Sequence, residues 1–142
     1  MGDPHLTIGE LAERTGVATS ALRYYEELGL LPAPGRVSGQ RRYPESAVGL
    51  VGVILLLGDV GFSLRESKAL LASRTQAVEG WRSLARRKLA DLDEQIARAQ
   101  TAKEVITHGL ACPHDDFTTC PKGVGIVAAR LAGQSLEEAH PH

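Results

Sequence analysis

The sequence predicts a mainly α protein: a winged helix-turn-helix head followed by a long dimerisation helix that forms an antiparallel coiled coil. Three observations predict it. Residues 6–43 hold two short helical patterns and then an arginine-rich hairpin, RVSGQRRYP. Residues 76–110 carry apolar side chains at three–four spacing. The composition, 43% hydrophobic but only 4% aromatic, suits Ala/Leu-rich helices. It excludes a β-sandwich, whose strands take β-branched and aromatic residues.

A chain of 142 residues supports one ordinary domain or a small head with a helical extension. We divide it into a head over residues 5–72, a dimerisation helix over 76–110, a cysteine-containing loop over 111–122 and a C-terminal segment over 123–142. The net charge is -1, and residues 1–75 contain eight Lys/Arg against eight Asp/Glu. Nucleic-acid binding must therefore come from local arrangement, because bulk charge supplies no attraction. No apolar run reaches the roughly 18 residues that cross a bilayer. The start, MGDPHLTI, has neither the basic region nor the apolar core of a secretion signal, so the expected location is cytoplasmic with no membrane partner.

Thr7-Ile8-Gly9-Glu10 fits a capping box, with Thr7 accepting from orphan amides and Glu10 reaching back from the third helical position. Ile8, Leu11 and Ala12 form the apolar face, and Gly16 ends the helix. The second helix starts near Ala18 or Thr19 and is closed by Gly29. Leu22, Tyr25 and Leu28 turn inward, leaving Thr19, Ser20, Arg23 and Tyr24 outside. Two short helices across a tight glycine turn are the helix-turn-helix outline, whose second helix enters the major groove. Pro32 and Pro34 then stop helix propagation. Arg36-Val37, a turn at Ser38-Gly39 and Gln40-Arg41-Arg42-Tyr43 make a short hairpin with three arginines and no acid, suited to phosphate contact.

The stretch TIGELAERTGVATSALRYYEELGLL, the PAPGR turn and GQRRYP closely resemble the DNA-binding head of the mercury-resistance regulator (MerR) family. The resemblance continues through PESAVGLVGVILLLGDVGFSLRESKALLA at residues 44–72. It implies that Thr19, Ser20, Arg23 and Tyr24 occupy recognition-helix positions. Arg36, Arg41, Arg42 and Tyr43 then belong to the wing or its anchor.

Beyond the hairpin, Pro44 suits the first turn of a helix containing Val48, Leu50, Val51 and Val53 to Leu57, and this continuous apolarity predicts burial within the head. Ser63, reinforced by Glu66, caps a second helix through Leu71. In the long helix, Ala85, Leu89, Leu92, Ile96, Ala99, Ile106 and Leu110 form a seam that Lys103 interrupts. About 30 helical residues extend roughly 45 Å, and an amphipathic stripe of that length needs a partner. A two-fold homodimer is the simplest one.

Cys112 and Cys120 are the only cysteines, with seven residues between them in ACPHDDFTTCP. In a reducing compartment such a pair reads as metal ligands or redox thiols. Two thiolates suit Cu(I) or another soft monovalent ion. Zn(II) normally takes four ligands, which His114, His108 or a second subunit would have to complete. Asp115 and Asp116 read as loop-capping groups. No Lys or Arg lies immediately beside either cysteine to lower its pKa.

The segment resembles the metal loop of copper-efflux regulators within the same family, matched at Cys112, Pro113, Asp115, Asp116, Cys120 and Pro121. It departs at His114, where that subgroup has a small residue. Ala77 stands where metal-sensing relatives carry Ser or Cys. The missing cysteine argues against zinc, lead or mercury, and the missing serine departs equally from the copper-type pocket. Residues 123–131 are expected to form a short helix over the loop, and 137–142 to fray.

No phosphate-binding glycine loop, metalloprotease histidine pair or nucleophile–base arrangement occurs, so the chain is not read as an enzyme. It reads as a homodimeric regulator of double-stranded promoter DNA that responds through Cys112 and Cys120 and acts on RNA polymerase at the promoter. A thiol-redox or metal-independent regulator is the alternative.

Overall fold

The structure is a computed structural model that describes residues 5–32, 34–75 and 79–140. Along the chain run α1 (Ile8–Thr15), α2 (Thr19–Glu27), β1 (Gly35–Val37), β2 (Gln40–Arg42), α3 (Ser46–Asp59), α4 (Leu64–Ser73), α5 (Gly80–Ala111), α6 (Pro121–Leu131) and α7 (Leu136–Ala139). They fall into two compact units, divided between Lys88 and Leu89 within α5. Among the described residues, no helix is long and apolar enough to cross a membrane. Ala33 of the PAPGR turn, Ala77 and residues 141–142 lie outside the described residues.

The first unit is organised by local signals. Thr7 and Glu10 exchange both capping-box bonds, and Ser63 and Glu66 do the same for α4. Gly16 ends α1 at φ 73°, a left-handed conformation open to glycine without steric cost. In the hairpin turn, Ser38 and Gly39 both have positive φ, 52° and 78°, as a two-residue turn matching strand twist requires. The strands pair Gly35 with Arg42, Arg36 with Arg41 and Val37 with Gln40.

Leu11, Leu22, Tyr25, Leu31, Val51 and Ile54 make the centre of one apolar core. The chain before α1 joins it through a bridge between Leu6 and Tyr43. Tyr43 is only 1% exposed, and its hydroxyl donates to Glu26 Oε1 at 2.5 Å. Arg41 Nη1 donates to Glu26 Oε2 at 3.0 Å. Thus one carboxylate of α2 fixes the hairpin from two points. Tyr43 is therefore packed beneath the hairpin and tied to α2 through its hydroxyl.

Two expectations are corrected. Helix α3 begins at Ser46, after Pro44 and Glu45. Its apolar run is not buried throughout: Ala47, Val51 and Ile54 face the core, whereas Val53, Leu55 and Leu56 are exposed. At 3.6 residues per turn, only one face of a helix can meet the layer beneath it. In the second unit, α6 starts at Pro121, where the missing proline amide would have been unpaired in any case. Residues 137–139 of the stretch expected to fray lie in α7, whose start is held by a capping box between Ser135 and Glu138; residues 141–142 lie outside the described residues.

The Glu26 joint has an alkaline signature. Burial, followed by the Glu26 hydrogen bond and charge, pushes the Tyr43 phenol from 10.0 to about 12. The folded head therefore holds this proton more tightly than the unfolded chain. Its contribution is fully present below pH 10 and is lost as pH rises toward 12. Tyr43→Phe is expected to destabilise the head by about 1–2 kcal/mol at neutral pH and to flatten this alkaline decline. Denaturant titrations across a pH series check both outcomes.

Candidate functional site

On the head, Ser20, Arg23 and Tyr24 project from α2 as exposed side chains, and Thr19 is half-buried at the helix start. The Arg23 side chain has no hydrogen bond or ion pair to any described residue. The wing arginines are more constrained. Arg36 donates to the Gly39 carbonyl at 3.1 Å, closing the turn. Arg42 donates to Gln40 at 3.1 Å and lies 3.8 Å from Glu10. Arg41 is held by Glu26 but remains accessible, its side chain 42% exposed. Recognition helix and wing therefore present cationic or polar groups from a joint whose geometry is fixed. Glu26 itself escaped the sequence reading, because an acid in a short helix resembles any solvated surface group.

The second unit contains the thiol site. Helix α5 ends at Ala111, and Cys112 to Cys120 turn back before α6. Asp116 folds this turn: Oδ1 accepts from the Thr118 amide at 2.9 Å and the Thr118 hydroxyl at 2.6 Å. Its carbonyl accepts from the Thr119 hydroxyl at 3.0 Å. The Thr118 bonds hold the Asp116 carboxyl below its ordinary range. Asp116 is thus a loop-capping residue.

This loop brings the Cys112 and Cys120 sulfurs to 3.3 Å. Ligand atoms of Cys112, His114 and Cys120 all lie within 4.8 Å of one another. Cys120 is buried, Cys112 half-buried and His114 exposed. The Gly123 amide chiefly, then the Cys112 thiol and then the Lys122 amide and charge, lower the Cys120 pKa against the opposing effect of desolvation. A positive helix start favours a thiolate in this way. No Lys or Arg is immediately beside either cysteine in the chain; Lys122, two positions after Cys120, acts through its amide and charge from the first turn of α6. Gly123 also permits the loop to close, since a Cβ there would lie 3.0 Å from the Phe117 carbonyl oxygen.

Two cavities flank the sulfurs. One of about 490 Å³ is walled by apolar groups including Val105, Leu110, Phe117 and Ile126. The other, about 340 Å³, is lined by His114, Pro113, Pro121 and Lys122. His108 borders both. Two soft donors and one imidazole form a donor set that fits a soft or borderline metal ion and offers little to a hard one.

The MerR family regulatory protein profile matches residues 7–43, and the MerR DNA-binding profile matches residues 50–108. The chain is 32% identical over 121 residues to heavy metal-dependent transcription regulator 2 of Rhizobium meliloti (strain 1021), covering 82% of each chain. It is 34% identical over 116 residues to the HTH-type transcriptional activator SoxR homolog of Chromobacterium violaceum, covering 79% of this chain and 78% of the relative. A solved structure, the transcription regulator PbrR691 from Ralstonia metallidurans CH34 in complex with lead(II), shares the fold. Its TM-score is 0.66 at 24% identity, covering 79% of this chain and 91% of that one. These relatives differ in their named responses, so they establish the family without selecting a subgroup within it. The chain is a non-catalytic, DNA-binding transcription regulator and belongs to the MerR family.

Proposed function

We propose that this regulator works as a homodimer that senses a soft monovalent metal ion, Cu(I) foremost, through Cys112 and Cys120. The observation that carries the reading is the pair of sulfurs 3.3 Å apart in a loop locked by Asp116. The lowered pKa of Cys120 supports it, because the thiolate is the metal-binding form. With metal–sulfur bonds of about 2.3 Å, two sulfurs sit about 3.8 Å apart at a tetrahedral angle and about 4.6 Å apart when collinear. The pair therefore opens least for a bent arrangement, in which His114 becomes a third ligand. Ala77, where metal-sensing relatives carry Ser or Cys, has no side-chain donor to offer a metal, and its placement lies outside the described residues.

Thr19, Ser20, Arg23 and Tyr24 are proposed to read promoter DNA, with Arg36, Arg41 and Arg42 on its phosphates. Two heads related by a two-fold axis meet two half-sites. Metal binding acts by favouring one dimer geometry over another. The promoter is then bent or twisted so that its separated elements suit RNA polymerase. Expected outcomes are loss of operator binding in Arg23→Ala, with the dimer preserved, and loss of the transcriptional response in Cys112→Ser or Cys120→Ser, with operator binding preserved. Anaerobic Cu(I) and Zn(II) titration against competing chelators, followed by an in vitro transcription assay, tests the sensor. Normal response in both cysteine variants would overturn it.

A thiol-redox response is the second reading, favoured by the same close sulfurs and by the lowered pKa of Cys120. Forming a disulfide closes them to about 2.05 Å, whereas metal opens them. Loss of both free thiols under mild peroxide, accompanied by a transcriptional change in metal-free protein, would select redox.

Dimerisation draws on α5, where Leu89, Ile96 and Ile106 are 63%, 64% and 63% exposed in the single chain. Ile96→Glu places a charge in that stripe and is expected to raise the dimer dissociation constant at least about tenfold, roughly 1.4 kcal/mol or more. Sedimentation at a series of concentrations reads the shift, and an unchanged dimer removes the stripe from the interface.

A further inference from the structure

Two features remain unused by this reading: Lys103, which breaks the apolar seam, and the C-terminal His140. The second unit brings them together. They line a pocket of about 580 Å³ with His108, Lys122, Gln100 and Thr107. The His108 and His140 rings meet edge to face at 6.3 Å. His140 Nδ1 is buried there with no hydrogen-bond partner among the described residues. Glu104 is the one carboxylate on the lining, so two lysines oppose one acid before either histidine is protonated. Donors from ammonium, amide, hydroxyl and imidazole groups suit a carboxylate. Lys103 occupies a position where an apolar residue would favour the coiled coil, and the pocket gives that ammonium a use.

The pocket is not isolated from the thiols. His108 and Lys122 line it and also line the cavity containing Cys112, His114 and Cys120. A molecule seated by its carboxylates against Lys103 and Lys122 is therefore held beside the sulfur pair. Soft monovalent ions bind thiolates far better than hard oxygen donors, so a small thiol is a suitable carrier for them. We propose that this pocket receives the carboxylates of a small anionic thiol that carries the soft metal and delivers it to Cys112 and Cys120.

This inference rests on the metal-sensing reading and names how the ion reaches its site. Two carrier sulfur–metal bonds break, and two bonds to the Cys112 and Cys120 sulfurs form. The two protein thiols release their protons, which end on the two departing carrier thiols. The metal keeps its oxidation state.

The test uses full-length dimer and Ag(I), which needs no protection from oxidation, presented as its glutathione complex or as its complex with uncharged 2-mercaptoethanol. Stopped-flow absorbance follows transfer to the protein. Wild type is expected to load faster from the glutathione complex, and Lys103→Ala to slow that transfer about three- to tenfold. Loading from 2-mercaptoethanol should be unchanged in Lys103→Ala, which also shows that the variant is folded. The preference should fade at high salt. S-methylglutathione, added without metal and unable to form the thiolate complex, should shift the His108 and His140 ring resonances and compete with the glutathione complex.

Equal rates from both carriers in both proteins would overturn the carrier site while leaving metal sensing intact. Citrate competing as well as S-methylglutathione would also overturn it, by reducing the pocket to a general anion site. Failure of either complex to load the thiols would instead sink the metal-sensing reading, and this inference with it.

Discussion

A helix of 32 residues with an apolar stripe its own chain leaves open is the constraint on which the molecule turns. Exposed Leu89, Ile96, Ile106 and Leu110 cannot all remain in water without cost: at about 25 cal/mol per Å², each such side chain is worth roughly 1.5–3 kcal/mol when covered. Helix α3 repeats the pattern on a smaller scale, with Val53, Leu55 and Leu56 outside the core. These are the surfaces that the proposed dimer would cover. Head and thiol loop are each well specified by their own local bonds, whereas the element that runs through both units is specified only at its margins.

Much of the head was legible because its signals are local. Thr7 with Glu10 and Ser63 with Glu66 need only four consecutive residues to state where a helix begins. Ser38-Gly39 states a turn in two. The joint at Glu26 was not legible, because its partners lie 15 and 17 positions away and meet only after hairpin and helix have packed. The apolarity of α3 misled for a related reason: composition records how greasy a helix is, and burial depends on how many neighbours surround it. The start of α7 went unread although its capping box, Ser135 with Glu138, is as local as the other two.

At the thiol loop the types of ligand were legible and their readiness was not. Cys112, His114 and Cys120 could be proposed from spacing and softness, and Asp116 as a capping group from its side chain. The source of the lowered Cys120 pKa required knowing that α6 begins at the next residue. Lys122 is two residues from Cys120 in the chain, and its importance is conformational: a helical start places its amide and charge near the sulfur. Spacing identifies possible donors, while helix termini decide which of them is already poised.

Cys120 immediately precedes α6, and its acidity is set chiefly by an amide belonging to that helix. The field that favours the thiolate therefore exists only while α6 is formed. In an unfolded or newly made chain, the same sulfur has the acidity of any peptide cysteine. Its chemistry is thereby conditional on folding, and a polypeptide that has not yet acquired its C-terminal helix is a poorer trap for soft ions and oxidants than the finished regulator.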